Sequence, residues 1–133
     1  MRFDLMTGGI PLRGVPGLVA AADGAGFSGL VLAEAGRTAY LAAAVAAATP
    51  SRLDLLTGVA VAFPRSPMVT AATAWELAEA SDGRFRLGLG TQVRAHVERR
   101  YDAPFDPPGP RLREYVLALR AIFRAFRGEE PLV

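Results

Sequence analysis

Cysteine and lysine are both absent from the 133 residues, and histidine and tryptophan occur once each. Without cysteine there is no disulfide framework and no thiolate metal site, and one histidine cannot assemble a zinc centre. No metal is expected. Without lysine there is no G-x-x-x-x-G-K-[ST] phosphate loop, and no G-x-S-x-G nucleophile elbow occurs either. Long apolar runs are also missing. The longest, residues 40–48, falls well short of the ~20 needed to cross a bilayer, so no membrane partner is expected. Residues 1–4 lead into strand-like sequence with no leader pattern, which reads as a cytoplasmic protein.

Charge of one sign is scarce as well. The 15 basic residues, all arginine, face 13 acids for a net charge of +2. An arginine-only set can mark a phosphate or nucleic-acid surface, or it can reflect coding bias. The arginines are interleaved with acids and form no dense tract, so no nucleic-acid partner is expected.

What is present is hydrophobic content of 51%, enough for a real core, in alternating strand and helix signals. Residues 3–7 read as a strand closed by Gly8-Gly9. A helix follows at about 16–25, with Pro16 early in it and Gly26 suited to the left-handed cap. Residues 29–34 form a continuous apolar run ending on Glu34, the pattern of a strand buried on both faces. A second helix spans about 39–48, with Thr38 as N-cap and Pro50 as stop. Its alanine-rich surface allows close helix approach.

The third strand lies within 53–63, and Ser66-Pro67 opens a helix to about Ala80, closed by Asp82-Gly83. Residues 85–91 read as the fourth strand, 93–101 as a short polar helix, and 102–110 as a proline-rich loop. The last helix, about 110–127, places Leu112, Val116, Leu119, Phe123 and Phe126 on one face. Successive β/α units imply a parallel sheet, either an open doubly wound sheet or half of a (β/α)8 barrel.

Several residues carry possible chemistry. Gly88-Leu89-Gly90 follows a strand, but Val93 stands where a dinucleotide fingerprint needs its third glycine. Such glycines clear space for a flat ligand or a second backbone, or they relieve strand–helix packing. Gly58 inside a β run marks a kink or bulge. Glu34, at a strand's C-terminal end, suits proton transfer, or else a structural bond to the loop near Arg37. His96 on the short helix is expected to share a face with Gln92 and Arg100, and serves as a ligand contact or a plain surface residue.

Residues 57–67, 81–92 and 93–100, with Ala25-Gly26-Phe27 and Glu34, resemble the luciferase-like monooxygenase superfamily, most closely its deazaflavin (coenzyme F420)-dependent branch. The resemblance implies an α/β fold: the N-terminal half, (β/α)4, of a TIM (β/α)8 barrel, with residues 1–133 forming one incomplete domain. It implies a cis Gly58–Val59 peptide in a bulge formed by Gly58, Val59 and Ala60 that backs the cofactor ring. Thr91 and Gln92 would touch the ring, with Glu34 at the pocket edge and Glu34 and His96 as acid/base candidates.

Where related sequences often carry a His-Asp pair, this chain has Arg37-Thr38, which weakens an acid/base role for that loop. Phosphate binding in such barrels lies near strands 7 and 8, beyond residue 133. The implied activity is hydride transfer between F420 and a small organic substrate. FMN-dependent monooxygenation is the alternative. A truncated, inactive half-barrel that needs a partner is the other reading, and the chain alone is expected to be inactive. The full-length family is expected to form homodimers.

Overall fold

The structure is a computed structural model that describes residues 1–132. Two compact units divide the chain: Met1–Ala60 with Glu76–Leu89, and Val61–Trp75 with the residues from Gly90 onward.

The first unit is built on four parallel strands in the order β1-β2-β3-β5. They are β1 (Asp4–Gly8), β2 (Gly29–Ala33), β3 (Asp54–Thr57) and β5 (Phe85–Arg86). Leu5, Leu30, Leu55 and Phe85 share one register row, and the last three are buried. Full burial of a leucine such as Leu30 or Leu55 contributes roughly 1.5–3 kcal/mol, so this row is the energetic centre of the unit.

Two helices cover the sheet. A 3-10 turn (Leu12–Gly14) leads into α1 (Val15–Gly24), and Gly26 follows at φ +86, as its sequence position predicts. The second helix, α2 (Ala39–Ala48), packs on α1, β2 and β3. Its Ala39, Ala42, Ala43, Ala46 and Ala47 are buried, so most of the smooth alanine surface is used inside this unit. Thr38 does occupy the N-cap position, but its side chain makes no capping bond. With ψ at 132 it supplies the turn into the helix through its backbone alone.

Helix α3 (Pro67–Ala80) begins as Ser66-Pro67 predicts: the Ser66 hydroxyl accepts the Val69 N–H at 3.2 Å. At its other end Ser81 is fully buried. Its hydroxyl donates to the Leu77 carbonyl at 2.7 Å and accepts the Phe85 N–H at 3.0 Å, joining the helix end to β5. Ser81→Ala should therefore destabilise the protein by roughly 1–3 kcal/mol, the cost of a buried unpaired N–H. Urea unfolding with an unchanged slope checks this. A loss below ~0.5 kcal/mol would show the bond to be dispensable.

The two later strand readings are each interrupted. Residues 53–63 give β3 and then β4 (Ala60–Val61), and residues 85–91 give β5 and then β6 (Leu89–Gly90), with β4 and β6 paired.

The second unit holds the start of α3, α4 (Arg94–Tyr101) and α5 (Pro108–Phe126). Helix α5 starts two residues before the expected 110. Pro107 is extended at the N-cap, and Pro108 takes the first helical position, where a missing N–H costs nothing. Its fully buried face is Tyr115, Leu119 and Ile122 rather than the expected row. Of that row only Leu119 is buried, and Leu112, Val116, Phe123 and Phe126 are half-buried. The reason is polar as well as apolar. Tyr115 shares a 2.5 Å hydrogen bond with the Thr70 hydroxyl and donates to the Ser66 carbonyl at 3.2 Å, while Phe123 and Phe126 flank Trp75. Among the described residues no helix is long and apolar enough to cross a membrane.

Candidate functional site

In parallel β/α proteins binding sites form at the C-terminal ends of the strands, so the chemistry is sought there. In the first unit that rim is built of small residues: Gly8 and Gly9 around the end of β1, Ala33 and Ala35 around the end of β2, and Gly58 after β3. Small side chains leave little relief, and a flat ring system requires such a surface. The Gly58–Val59 peptide is cis, as the resemblance implies, and Val59 is 39% exposed.

Backbone bonds tie this segment to its neighbours. Gly58 N–H donates to the Leu32 carbonyl at 2.9 Å, and Glu34 N–H donates to the Val59 carbonyl at 3.4 Å. Glu34 itself is only 7% exposed. The expected grouping of Glu34 with residues 58–60 is therefore present in one unit. Arg37, the alternative partner of Glu34, is exposed and forms no ion pair among the described residues.

Gly58 is glycine for a packing reason. A β-carbon there would lie 2.4 Å from the Val31 Cγ1. Gly88 is tighter still, because a β-carbon would lie 2.1 Å from the Thr57 carbonyl oxygen. Of the uses open to this glycine, the structure shows close approach of a second backbone.

The residue that organises the approach was not among the candidates. Thr57, 2% exposed, donates from Oγ1 to the Gly88 carbonyl at 2.8 Å and accepts the Gly88 N–H at 2.9 Å. The same carbonyl accepts the Ala60 N–H at 2.9 Å. One hydroxyl thus replaces the missing ladder rungs where both strands break. Thr57→Val keeps the shape and removes both bonds, and should cost roughly 2–3 kcal/mol, whereas Thr57→Ser should cost less than ~1 kcal/mol. Equilibrium unfolding of the pair measures it, and equal losses would assign the effect to packing. No sequence signal marks this hydroxyl except a threonine beside Gly58 in a β run.

The remaining candidates lie in the second unit. Gln92 has φ +60 and precedes α4, so it is not on one helical face with His96 and Arg100. The left-handed turn at Gln92 ends the strand before the helix begins. Its Oε1 accepts the Val93 N–H at 3.1 Å, and the Thr91 hydroxyl donates to the Gln92 carbonyl at 3.0 Å. The Gln92 amide nitrogen keeps its donors, with no partner among the described residues. His96 is exposed on α4, beside Ala95, Arg99 and Arg100 on an open surface.

The helix that carries His96 is pinned at its start. Arg94 grips both Asp106 oxygens, at 2.5 and 2.6 Å, and also reaches Glu98 at 3.0 Å. This guanidinium holds the Asp106 carboxyl below its ordinary range. Arg94 also lies over the Phe105 ring at 4.9 Å. These contacts tie the 102–107 loop to the start of α4 and commit the Arg94 charge to Asp106 and Glu98. No group of three or more potential metal ligands occurs among the described residues.

Comparison with known proteins adds to this geometry. The sequence pattern of the family described as luciferase-like monooxygenase matches residues 2–132. An uncharacterized protein of Mycobacterium tuberculosis is 47% identical over 107 residues, covering 80% of this chain and 32% of its own length. A second M. tuberculosis protein, provisionally named a coenzyme F420-dependent oxidoreductase, is 38% identical, with 80% and 31% covered. The chain thus spans about a third of the length of these curated relatives.

Among solved structures, the oxygenating constituent of 3,6-diketocamphane monooxygenase from Pseudomonas putida, in complex with FMN, has a TM-score of 0.79 at 16% identity. It covers 93% of this chain and 40% of that one. The coenzyme F420-dependent tetrahydromethanopterin reductase of Methanopyrus kandleri has a TM-score of 0.69 at 22% identity, covering 78% and 30%. The fold is therefore that of parallel β/α units matching part of luciferase-like TIM barrels.

Proposed function

Because this chain belongs to the luciferase-like monooxygenase family, we propose that it supplies the cofactor-ring side of a deazaflavin (F420)-dependent oxidoreductase. Residues 1–133 would be one incomplete domain, the first (β/α)4 part of that barrel. The observation that carries the reading is the low rim at residues 58–60, with Val59 exposed and its carbonyl bonded to the backbone of buried Glu34. The residues present fit a flat ring, since the rim of the first unit is small and largely apolar.

When bound, the deazaflavin supplies hydride transfer to or from a small organic substrate. Val59 would back the ring, with the fully buried Ala60 supporting it from behind, and Gly58 lets the backbone sit against Val31. Thr91 and Gln92 would contact the ring or its side chain. Glu34, sheltered at the rim, would hold or take up the proton that accompanies the hydride. His96 is the second acid/base candidate, disfavoured by its exposure. The longer protein is proposed to act as a homodimer.

FMN is the alternative cofactor, since the fold is shared with an enzyme solved with FMN. Fluorescence titration of the purified chain with oxidised F420 and, separately, with FMN tests the reading. A saturable change with F420, weakened at least tenfold by Val59→Asp, is expected. Saturation with FMN alone would transfer the site to flavin chemistry. Saturation with neither would overturn the claim that this segment forms a ring platform.

A further inference from the structure

A cleft in the first unit lies at the C-terminal ends of two strands that pair with each other. The end of β1 and its loop contribute Gly8, Gly9 and Ile10, and the end of β2 and its loop contribute Ala33, Arg37 and Thr38. Every residue that lines it falls between 8 and 42, so its walls are built by neighbouring elements of one unit. The cleft is continuous with the rim at residues 58–60. Ala33, in its wall, precedes Glu34, whose N–H meets the Val59 carbonyl at 3.4 Å.

The arginines of this unit are used unevenly. Arg2, Arg52 and Arg84, which precede strands, and Arg86 on β5 all have partners. Arg2 and Arg86 reach Asp54, Arg52 reaches Asp23 at 3.6 Å, and Arg84 donates to the Leu53 carbonyl. Arg13 and Arg37, which follow β1 and β2, are exposed and form no ion pair or hydrogen bond among the described residues. The one acid in loops 9–14 and 34–38 is Glu34, and it is buried. Of the two uncommitted arginines only Arg37 lines the cleft. The Ile10 N–H, also in the cleft wall, has no acceptor among the described residues.

We propose that this cleft takes the anionic group of the substrate, a carboxylate or a phosphate monoester, with Arg37 as its counterion. A guanidinium offers paired N–H donors that match two oxygens of either group. The cleft is small, so it holds that terminal group and leaves the rest of the molecule to the ring platform beyond Ala33. The substrate class is then a small organic anion, and Arg37 discriminates it from a neutral analogue. The assignment to substrate rests on the ring-platform reading; the anion cleft itself does not.

Amide chemical shifts of the isotope-labelled, cofactor-free chain test it, followed during addition of inorganic phosphate and, separately, of acetate at constant ionic strength. Saturable shifts at Ile10, Arg37 and Thr38 are expected, weakened at least tenfold in Arg37→Gln and unchanged in Arg52→Gln. Arg37→Gln should leave the affinity for oxidised F420 as it was. Shifts elsewhere, no shifts, or equal binding by Arg37→Gln would overturn the proposal. Displacement of phosphate by F420 would give the cleft to the cofactor's own anionic tail and overturn the substrate assignment. Failure of F420 to bind, with the Arg37-dependent shifts intact, would instead overturn the ring platform and leave the anion cleft standing.

Discussion

Gly88→Ala should cost the native state about 3–5 kcal/mol, a large share of its stability. The added methyl would meet the Thr57 carbonyl oxygen at 2.1 Å, and that atom is backbone, not the free end of a side chain. Thr57 cannot withdraw, because its hydroxyl is bonded to both the N–H and the carbonyl of Gly88. Overpacking of a core usually costs 1–3 kcal/mol, and a rigid backbone clash lies at or beyond the top of that range, about 3–5 kcal/mol. Small domains are stable by only about 5–15 kcal/mol, so the variant should be largely insoluble or unfold at much lower urea. Comparing soluble yield and urea midpoint with the unmodified chain checks this. A midpoint shift worth less than ~1 kcal/mol would mean that the β3–β5 region relaxes freely.

The second large effect is at Gly58, and it should be reversible by a compensating change. A β-carbon at Gly58 would stand 2.4 Å from the Val31 Cγ1, an atom of a side chain stiff at its first rotamer. Gly58→Ala alone should cost about 2–3 kcal/mol. Val31→Ala alone removes two half-buried methyl groups and should cost about 1–2 kcal/mol. In the double variant the new methyl occupies space the valine has vacated, so the combined loss should fall at least ~1.5 kcal/mol below the sum. Strict additivity would place the Gly58 requirement elsewhere than at Val31.

The alternation of elements was legible because punctuation and periodicity agree at each boundary. Pro16 and Gly26 frame α1, Ser66-Pro67 and Asp82-Gly83 frame α3, and Gly128 with φ +73 follows α5. Where signals competed, the reading slipped. Prolines at 107, 108 and 110 all suit a helix start, and only the structure selects Pro108. The buried face of α5 differs from the expected row because Thr70 and Ser66, more than forty residues away, satisfy the Tyr115 hydroxyl and draw it inward.

The candidate site shows the same limit. Glu34, Gly58, Val59 and Ala60 were named together through a family resemblance; periodicity says only that residues near 58 interrupt a strand. The link that fixes the interruption, from Thr57 to Gly88, spans 31 residues and leaves no local pattern. Gln92 is expected on one face with His96 and Arg100 because spacing cannot reveal a left-handed backbone before Arg94.

The central claim is that residues 58–60, with Glu34, form a surface for a flat redox cofactor. Amide chemical shifts of the isotope-labelled chain, followed during addition of oxidised F420 to millimolar concentration, test it most directly, since they register even weak binding. The account predicts saturable shifts centred on the amides of Glu34, Val59 and Ala60. Shifts confined to other regions, or none at all, would contradict it.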